Sequence, residues 1–171
     1  FGFKAKLKPY SRLYNKDLGG GAILDVGCYP ISFLMLLENN IKNIEFQNKK
    51  VSFAATNVDD YAEANLKISQ NIFANIKVSI RENYANNCVI KGTDGEIIIP
   101  NPWIQDKKPF IEIKSKKKYY KKFINSDKST YAYQVEKVSK SFASKTSTDL
   151  NLFDINRSLV CSVLLDKWIG Q

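Results

Sequence analysis

The 171-residue sequence contains no histidine. This absence excludes histidine-ligated zinc sites, Ser-His-Asp triads and acid–base catalysis by imidazole. Any proton transfer must use the carboxyl, amine, phenol or thiol groups of other residues. Cysteine is also scarce, and Cys28, Cys88 and Cys161 have no spacing typical of a metal site. Their odd number favours a reducing compartment, so we expect a cytoplasmic protein without a bound metal.

Arginine is rare although the chain is basic. Only Arg12, Arg81 and Arg157 are arginines among 26 basic residues, and the formal net charge is +9. Arginine is the side chain that binds phosphate and guanine through paired hydrogen bonds, so its scarcity argues against nucleic-acid binding. Eight lysines nevertheless lie among aromatic residues in 107–122. This segment predicts either a surface for single-stranded nucleic acid or a solvent-exposed hairpin whose lysines prevent edge pairing, and we favour the hairpin.

No clean hydrophobic run is long enough to span a membrane. The longest apolar stretch, residues 22–37, is interrupted by Asp25, Gly27 and Pro30. A membrane span needs about 18 or more apolar residues in succession, so we expect none. The chain begins at Phe1, without a start methionine and in strand-like sequence, which suggests a part of a longer protein.

Hydrophobic periodicity predicts an α+β fold. Strand-like patterns occur over 1–7, 44–55, 61–69, 72–83, 88–92, 96–100, 109–115 and 118–124. Helical patterns occur over 22–38, 131–142 and 153–168, with a polar linker over 140–148. The first helix is apolar on nearly every side and should be buried. This order is typical of a mainly antiparallel, open-faced sheet with helices packed on one face, and we predict one domain over 1–171.

The uncovered face of such a sheet requires an explanation. The strands at 61–69 and 72–83 carry more apolar residues than one core face needs: Tyr61, Leu66, Ile68, Phe73, Ile76 and Val78. An exposed apolar face predicts contact with another subunit or domain. We therefore expect a homodimer or homotetramer of twofold symmetry through this face.

The densest candidate for a functional site is residues 18–30, Leu-Gly-Gly-Gly-Ala-Ile-Leu-Asp-Val-Gly-Cys-Tyr-Pro. Three glycines allow the backbone to approach a neighbouring group or a ligand closely before a helix begins. Asp25 and Tyr29 lie four residues apart and share one face of that helix, which Ser32 continues. Because burying an unpaired charge is costly, they either satisfy each other and the backbone or face a polar pocket. A purely structural alternative is that the helix dipole favours Asp25 and that Tyr29 anchors the helix by packing.

The segment from Arg12 through the three glycines to Asp25, Tyr29 and Pro30 resembles a known family. Its pattern is similar to the C-terminal domain of the glucose–fructose oxidoreductase / inositol dehydrogenase / MocA family: a glycine-rich turn, apolar residues, Asp, an apolar residue, Gly, any residue, then His or Tyr. Residues 89–102 are similar to a Gly-Thr-x-Gly hairpin of that family. The two C-terminal helical segments resemble its closing helical pair.

The resemblance implies roles for individual residues. Family members bind NAD or NADP in an N-terminal Rossmann domain and hold the substrate between it and this α+β domain. By that resemblance, Asp25 lies in the substrate pocket, and Tyr29 exchanges a proton with the substrate hydroxyl or carbonyl. Arg12 looks like a basic residue that reaches substrate or cofactor, and Ser32 stands where the family has a second carboxylate. A free phenol titrates near pH ~10, so Tyr29 would need a cationic neighbour to act as a base.

Two parts of that family are missing from this sequence. No Gly-x-Gly-x-x-Gly follows a strand, and no Glu-Lys-Pro segment supplies the lysine that is a catalytic partner in the family. We expect the chain alone to bind no dinucleotide tightly and to transfer no hydride. With its missing Rossmann domain and NAD or NADP, it would act on a sugar, polyol or diol. The alternatives are a non-catalytic dimerisation or sensing domain of the same fold, and a basic nucleic-acid-binding module.

Overall fold

A computed structural model describes residues 1–38, 43–104, 108–144 and 154–170. The helices in these residues are α1 (Cys28–Leu37), α2 (Thr130–Ser144) and α3 (Ile155–Ile169). The strands are β1 (Glu45–Phe53), β2 (Asp59–Lys67), β3 (Phe73–Ser79), β4 (Asn87–Lys91), β5 (Gly95–Pro100), β6 (Phe110–Ser115) and β7 (Tyr119–Phe123). These elements confirm the predicted α+β class.

The strands divide into two antiparallel sheets, where one sheet was predicted. The first sheet has the order β1-β2-β3 and the second β4-β5-β6-β7. The described residues before 86 form one compact unit with α3, the first unit, and the second sheet forms another with α2, the second unit. The single domain over 1–171 stays a prediction.

The core of the first unit lies between the first sheet and the helices α1 and α3. The sheet contributes one row of buried side chains, Ala62, Ala64, Leu66, Ile76 and Val78. The helices contribute another, Ile31, Met35, Leu164 and Trp168. Gly27 lies where the helices meet, since a Cβ placed there would stand 3.2 Å from the Trp168 ring. The helices therefore cover one face of this sheet, as predicted.

The outer face of the first sheet is mainly polar, so the predicted apolar face is wrong for most of its residues, although Tyr61 and Phe73 do lie on it. Four of the six residues assigned to it are buried in the core: Leu66, Ile68, Ile76 and Val78. The outer face carries a ladder of amides instead, in which Asn65 donates to Asn48 at 2.8 Å and Asn75 donates to Asn65 at 2.7 Å. The ladder removes the physical reason given for assembly through this face. The homodimer or homotetramer stays a prediction.

The predicted strand over 1–7 is wrong. The segment makes one isolated parallel bridge, between Gly2 and Ser79. The amides of Phe3 and Ala5 donate to the carbonyls of Ser79 and Ile80 at 3.1 and 2.8 Å. Because β3 ends at Ser79, no strand remains for the following residues to pair with.

The predicted helix over 22–38 begins with a π-helical turn, Ile23–Gly27, and continues as α1. Its expected burial is wrong on one side, where Leu24, Tyr29 and Leu36 are exposed. The C-terminal end of α1 is held by Arg157, whose Nη1 donates to the carbonyl of Met35 at 2.7 Å. That contact ties α1 to the first turn of α3.

The other two helices lie close to their predicted positions. α2 runs through Ser144 and so occupies the first part of the predicted linker over 140–148. Residues 145–148 of that linker lie outside the described residues. Asp154 caps α3 by accepting a hydrogen bond from the amide of Arg157 at 2.8 Å.

One described stretch, Lys16–Leu37, is long and apolar enough by length and composition to cross a membrane, with a mean hydropathy of 1.6. In the fold, 56% of its most apolar part is buried inside the protein. A core helix of a folded domain satisfies the same criteria, so the stretch is weak evidence for a membrane span. The absence of such a span stays a prediction.

Candidate functional site

The glycine turn before α1 packs against its own chain. The amide of Gly20 donates to the carbonyl of Asn15, and that of Gly21 to the carbonyl of Leu13, both at 2.9 Å. Gly21 has a φ of +119°, and a Cβ placed on it would stand 2.1 Å from Oδ1 of Asp59. The close approach that the glycines allow is therefore an approach to a carboxylate of the protein.

Asp59, the first residue of β2, accepts hydrogen bonds at the start of the helix. Its Oδ2 accepts a hydrogen bond from the amide of Ile23 at 2.7 Å, and the nearby amide of Ala22 also favours the ionised carboxylate. Only 4% of the residue is exposed, and this burial raises the pKa of Asp59 to about 6 against the opposing effect of those amides. Sequence reasoning missed Asp59, because no spacing pattern links residues 36 positions apart.

Arg12 and Asp25 form the ion pair of the site. Arg12 lies in a 3₁₀ turn, Arg12–Tyr14, and its Nη2 donates to Oδ1 of Asp25 at 2.5 Å. The Asp25 side chain is 14% exposed and the Arg12 side chain 62%. A partly covered carboxylate is thus neutralised by a guanidinium that remains largely open to solvent and able to bind another group.

Tyr29 presents an exposed phenol beside this pair along the helix. It is 44% exposed, and its ring meets the ring of Phe1 edge-on with centroids 5.3 Å apart. Asp25 lies in the π-helical turn and Tyr29 in the first turn of α1. Four residues correspond to roughly one turn of either helix type, so both side chains leave the helix in a similar direction.

Ser32 does not join the other predicted site residues. Its Oγ donates to the carbonyl of Cys28 at 2.6 Å and lies 3.8 Å from Sγ of Cys161, which places the hydroxyl against α3. Burial raises the pKa of the Cys28 thiol, and nearby Cys161 and Asp25 raise it further. The thiol is therefore held in its unreactive protonated form.

Two cavities lined by described residues lie away from this ion pair and phenol. One of about 410 Å³ is lined by residues of β1 and the end of α3, including Lys49 and Lys167. Another of about 450 Å³ belongs to the second unit and includes Lys108 and Phe123. Since small-molecule sites bury most of their ligand, the exposed site around Tyr29 needs a second surface to enclose a substrate. No group of His, Cys, Asp or Glu in the described ranges could hold a metal ion.

The lysine-rich hairpin of β6 and β7 belongs to the second unit. Lys114 pairs with Glu96 at 3.1 Å and Lys121 with Glu112 at 3.2 Å, across neighbouring strands. Lys121 also lies 4.6 Å above the ring of Phe110. These pairs are typical of a solvent-exposed sheet surface, and a nucleic-acid role for the hairpin stays an alternative.

The α+β chain with its glycine turn, ion pair and phenol has recognisable relatives. Residues 1–98, more than half of the chain, match the GFO/IDH/MocA C-terminal domain, and the chain belongs to that family. A trans-1,2-dihydrobenzene-1,2-diol dehydrogenase of Danio rerio is 35% identical over 98 residues, which are 57% of this chain and 29% of that protein. The corresponding dehydrogenase of Xenopus tropicalis is 32% identical over 58% of this chain and 30% of its own. The match thus spans less than a third of these relatives and confirms the predicted family.

Solved structures share the fold over nearly the whole chain. The 3-ketoreductase KijD10 of Actinomadura kijaniata, in complex with NADP and TDP-benzene, matches with a TM-score of 0.80 and 22% identity over 96% of this chain. An aldose-aldose oxidoreductase of Caulobacter crescentus, complexed with glycerol, matches with a TM-score of 0.81 and 16% identity over 98% of this chain. In both cases the chain covers 50% of the matching protein. At these identities the likeness shows the fold alone.

Proposed function

We propose that the chain is the substrate-binding C-terminal domain of an NAD(P)-dependent oxidoreductase that acts on a CH–OH group of a sugar, polyol or diol. The observation that carries the proposal is the Arg12–Asp25 ion pair, one helical turn from the exposed phenol of Tyr29, at the start of α1. Support comes from family membership and from relatives named as a diol dehydrogenase, a ketoreductase and an aldose oxidoreductase.

The proposed chemistry divides the work between three side chains. Tyr29 takes the proton of the substrate hydroxyl during oxidation and returns it to the carbonyl oxygen during reduction. Asp25, held by Arg12, accepts hydrogen bonds from neighbouring hydroxyls and so orients the substrate. A phenol needs a nearby cation to act as a base at neutral pH. The lysine of the absent Glu-Lys-Pro segment would supply that charge.

The nicotinamide cofactor supplies the hydride acceptor or donor and, in this proposal, binds outside the chain. A helix N-terminus can bind phosphate only when its first amides are available. At the start of this helix, the amide of Ile23 already binds the carboxylate of Asp59, which also carries a negative charge at the place a phosphate would occupy. The glycine turn therefore does not fit a dinucleotide. The exposed side of α1, with Leu24, Tyr29 and Leu36, is the surface that we expect a Rossmann domain to meet.

The test is to express the chain joined to its own upstream cofactor domain and to compare Tyr29→Phe with the parent enzyme. The change removes one oxygen and leaves the ring. We expect kcat and kcat/KM to fall together by about 10²–10⁴-fold, as for a group that acts in the transition state. Tyr10→Phe is the matched control, because Tyr10 is 92% exposed and lies outside the site. A Tyr29→Phe enzyme with parental turnover would end the assignment.

Asp25→Asn separates the functional role of the ion pair from a structural one. If Asp25 orients the substrate, KM rises more than kcat falls, and the melting temperature changes little. If the pair only stabilises the helix, the melting temperature falls while turnover per folded molecule is unchanged. A folded, joined protein that oxidises no diol or sugar alcohol with NAD or NADP would favour the non-catalytic dimerisation or sensing alternative.

A further inference from the structure

Asp59 is a buried acidic group that the proposed reaction does not use. A carboxylate that is 4% exposed carries a substantial desolvation cost, so its presence requires an explanation. It lies directly beneath the glycine turn, with Oδ1 against Gly21, and its Oδ2 accepts the amide of Ile23 at the start of the helix that carries Asp25 and Tyr29.

We propose that Asp59 is the positioning residue of the site: its ionised carboxylate fixes where the helix begins and thereby holds Asp25 and Tyr29 in register with Arg12. The inference rests on the proposed function for the roles of those three side chains. The physical link from Asp59 to them can be tested without catalysis.

Gly21 is the junction through which Asp59 reaches the ion pair. Its amide donates to the carbonyl of Leu13, the residue after Arg12, at 2.9 Å. Its carbonyl accepts the amide of Asp25 at 3.1 Å. The carboxylate of Asp59 packs on its α-carbon so closely that no side chain fits between them. A shift of Asp59 therefore displaces the backbone next to both members of the ion pair.

The charge of Asp59 matters because the groups that face it at this helix start are donors. The ionised carboxylate accepts the hydrogen bond of the Ile23 amide and also favours the nearby Ala22 amide. The protonated acid carries an O–H donor and loses the charge that favours both amides. Since burial raises the pKa of Asp59 to about 6, this loss occurs in mild acid.

The other charged groups around Asp59 are already paired. Asp60 adds to the upward shift of the Asp59 pKa and is bound to Arg81 at 3.3 Å. On the helix side, Asp25 is bound to Arg12. Tyr14, which is buried near Asp60, donates its hydroxyl to the carbonyl of Ile80, and burial and Asp60 raise its pKa above the ordinary value. Asp59 is thus the group expected to titrate in this region in mild acid.

The experiment follows this titration in the 171-residue chain by nuclear magnetic resonance. The Asp59 carboxyl carbon and the amides of Asp25 and Tyr29 are recorded from about pH 4.5 to about pH 8. We expect a shared inflection near pH ~6, with a lower hydrogen-exchange protection factor of the Ile23 amide below it. Asp59→Asn should abolish the inflection at Asp25 and Tyr29. Asp60→Asn, the matched control at the adjacent acid, should retain it.

Two results would overturn the inference. One is an inflection at Asp25 and Tyr29 that survives in Asp59→Asn. The other is an Asp59 carboxyl that titrates in the unsubstituted chain while Asp25 and Tyr29 stay unaffected. The second result needs no variant, so it tests the inference even if Asp59→Asn fails to fold.

Kinetics of the joined enzyme separate this inference from the proposed function. Asp59→Asn should lower kcat by about 10–100-fold, the effect of a small misplacement of reacting groups, and should also raise KM, because Asp25 is displaced together with Tyr29. The parent kcat should fall below about pH 6, whereas the residual kcat of Asp59→Asn should lack that step. If the magnetic resonance link holds and the joined protein has no activity, the proposed function fails and the positioning role stands. If the joined enzyme is active and the link is absent, the positioning role fails and the proposed function stands.

Discussion

The two units are both built on antiparallel sheets but exclude water to very different degrees. All described residues that are fully buried belong to the first unit, including Ile23, Met35 and Trp168. In the described residues of the second unit none is fully buried, and apolar side chains of α2 such as Val135 and Phe142 are exposed. Apolar burial contributes roughly 25 cal/mol per Å², so it stabilises the first unit far more than the second. Backbone hydrogen bonds between strands and lysine–glutamate contacts make up a larger share of the stability of the second unit.

The candidate site lies on the better-buried unit. Side chains that must be held within a fraction of an ångström depend on a rigid, well-packed support. Asp25 and Tyr29 project from a helix whose opposite side is buried against α3 and the first sheet. The first unit can therefore hold the side chains on its surface in more precisely defined positions than the second unit can.

The largest expected effect compares one glycine from each unit. Gly21→Ala would place a Cβ 2.1 Å from Asp59 Oδ1 at a φ of +119°. Backbone strain and overpacking together should lower the free energy of unfolding by about 2–6 kcal/mol. Gly92→Ala is the control, since its Cβ would meet no atom closer than 3.8 Å. Urea denaturation measures both, and equal effects would show that the turn can relax around Gly21.

A matched pair of isoleucines tests the difference in burial itself. Ile31 in α1 is completely buried, whereas Ile113 in β6 is only half-buried. Ile31→Ala should lower the free energy of unfolding by about 2–5 kcal/mol, and Ile113→Ala by clearly less. Thermal unfolding followed by circular dichroism measures both changes. A larger loss at Ile113 would contradict the comparison of the two units.

The pH dependence of stability should have opposite signs in the two units. The pKa of Asp59 is about 6 in the folded first unit, above its ordinary value of 3.8, so the folded state binds the proton more tightly. Its contribution to the free energy of unfolding is greatest below pH ~4 and falls by about 3 kcal/mol as the pH rises through about 6. Asp59→Asn should flatten that slope. In acid, stability and alignment of the site should therefore change in opposite directions.

Glu136 in the second unit shows the reverse behaviour. Hydrogen bonds from Lys128 and Lys140 lower its pKa to about 2. Its contribution is present above its ordinary pKa of 4.5 and is lost as the pH falls toward 2. Chemical denaturation at a series of pH values, on the parent chain and on Asp59→Asn, measures the two slopes. Slopes of the same sign would contradict this assignment.

The smallest expected effect is that of Glu136→Gln. The change removes two exposed ion pairs, to Lys128 at 2.6 Å and to Lys140 at 2.5 Å. We expect a slight loss of helical signal at low ionic strength, because exposed pairs contribute little and are screened by salt. The difference should vanish at about 1 M salt. Its persistence there would indicate a role for Glu136 beyond the ion pairs.

Local patterns were sufficient to predict the class of fold and most elements. The apolar spacing of 131–142 and the alternation within 61–69 depend on neighbours in the chain, so α2 and β2 could be located. The same alternation already separates Tyr61, Glu63 and Asn65 from the buried row. The wrong prediction of an apolar outer face arose because apolar residues were counted over both faces together.

The burial of Asp59 could not be predicted from sequence, because a β-bulge turns its side chain to the opposite face of the sheet. Ser52 pairs with Tyr61, but Phe53 pairs with Asp59, which leaves Asp60 as the extra residue. A strict period of two would place Asp59 on the outer face with Tyr61. The π-helical turn at Ile23–Gly27 is likewise invisible to a search for a period of 3.6. The ion pair was not predicted: the family resemblance named Arg12 and Asp25 separately, and tertiary structure joins them.

The helix that carries Asp25 and Tyr29 is fastened at both ends by distant parts of the chain. Asp59 binds the amide of Ile23 at its first turn, and Arg157 binds the carbonyl of Met35 near its last turn. Such a helix has little conformational freedom left to lose when another body covers its exposed side. Association there would release water from Leu24 and Leu36 at a small ordering cost, so we expect a favourable entropy of binding and a negative heat-capacity change.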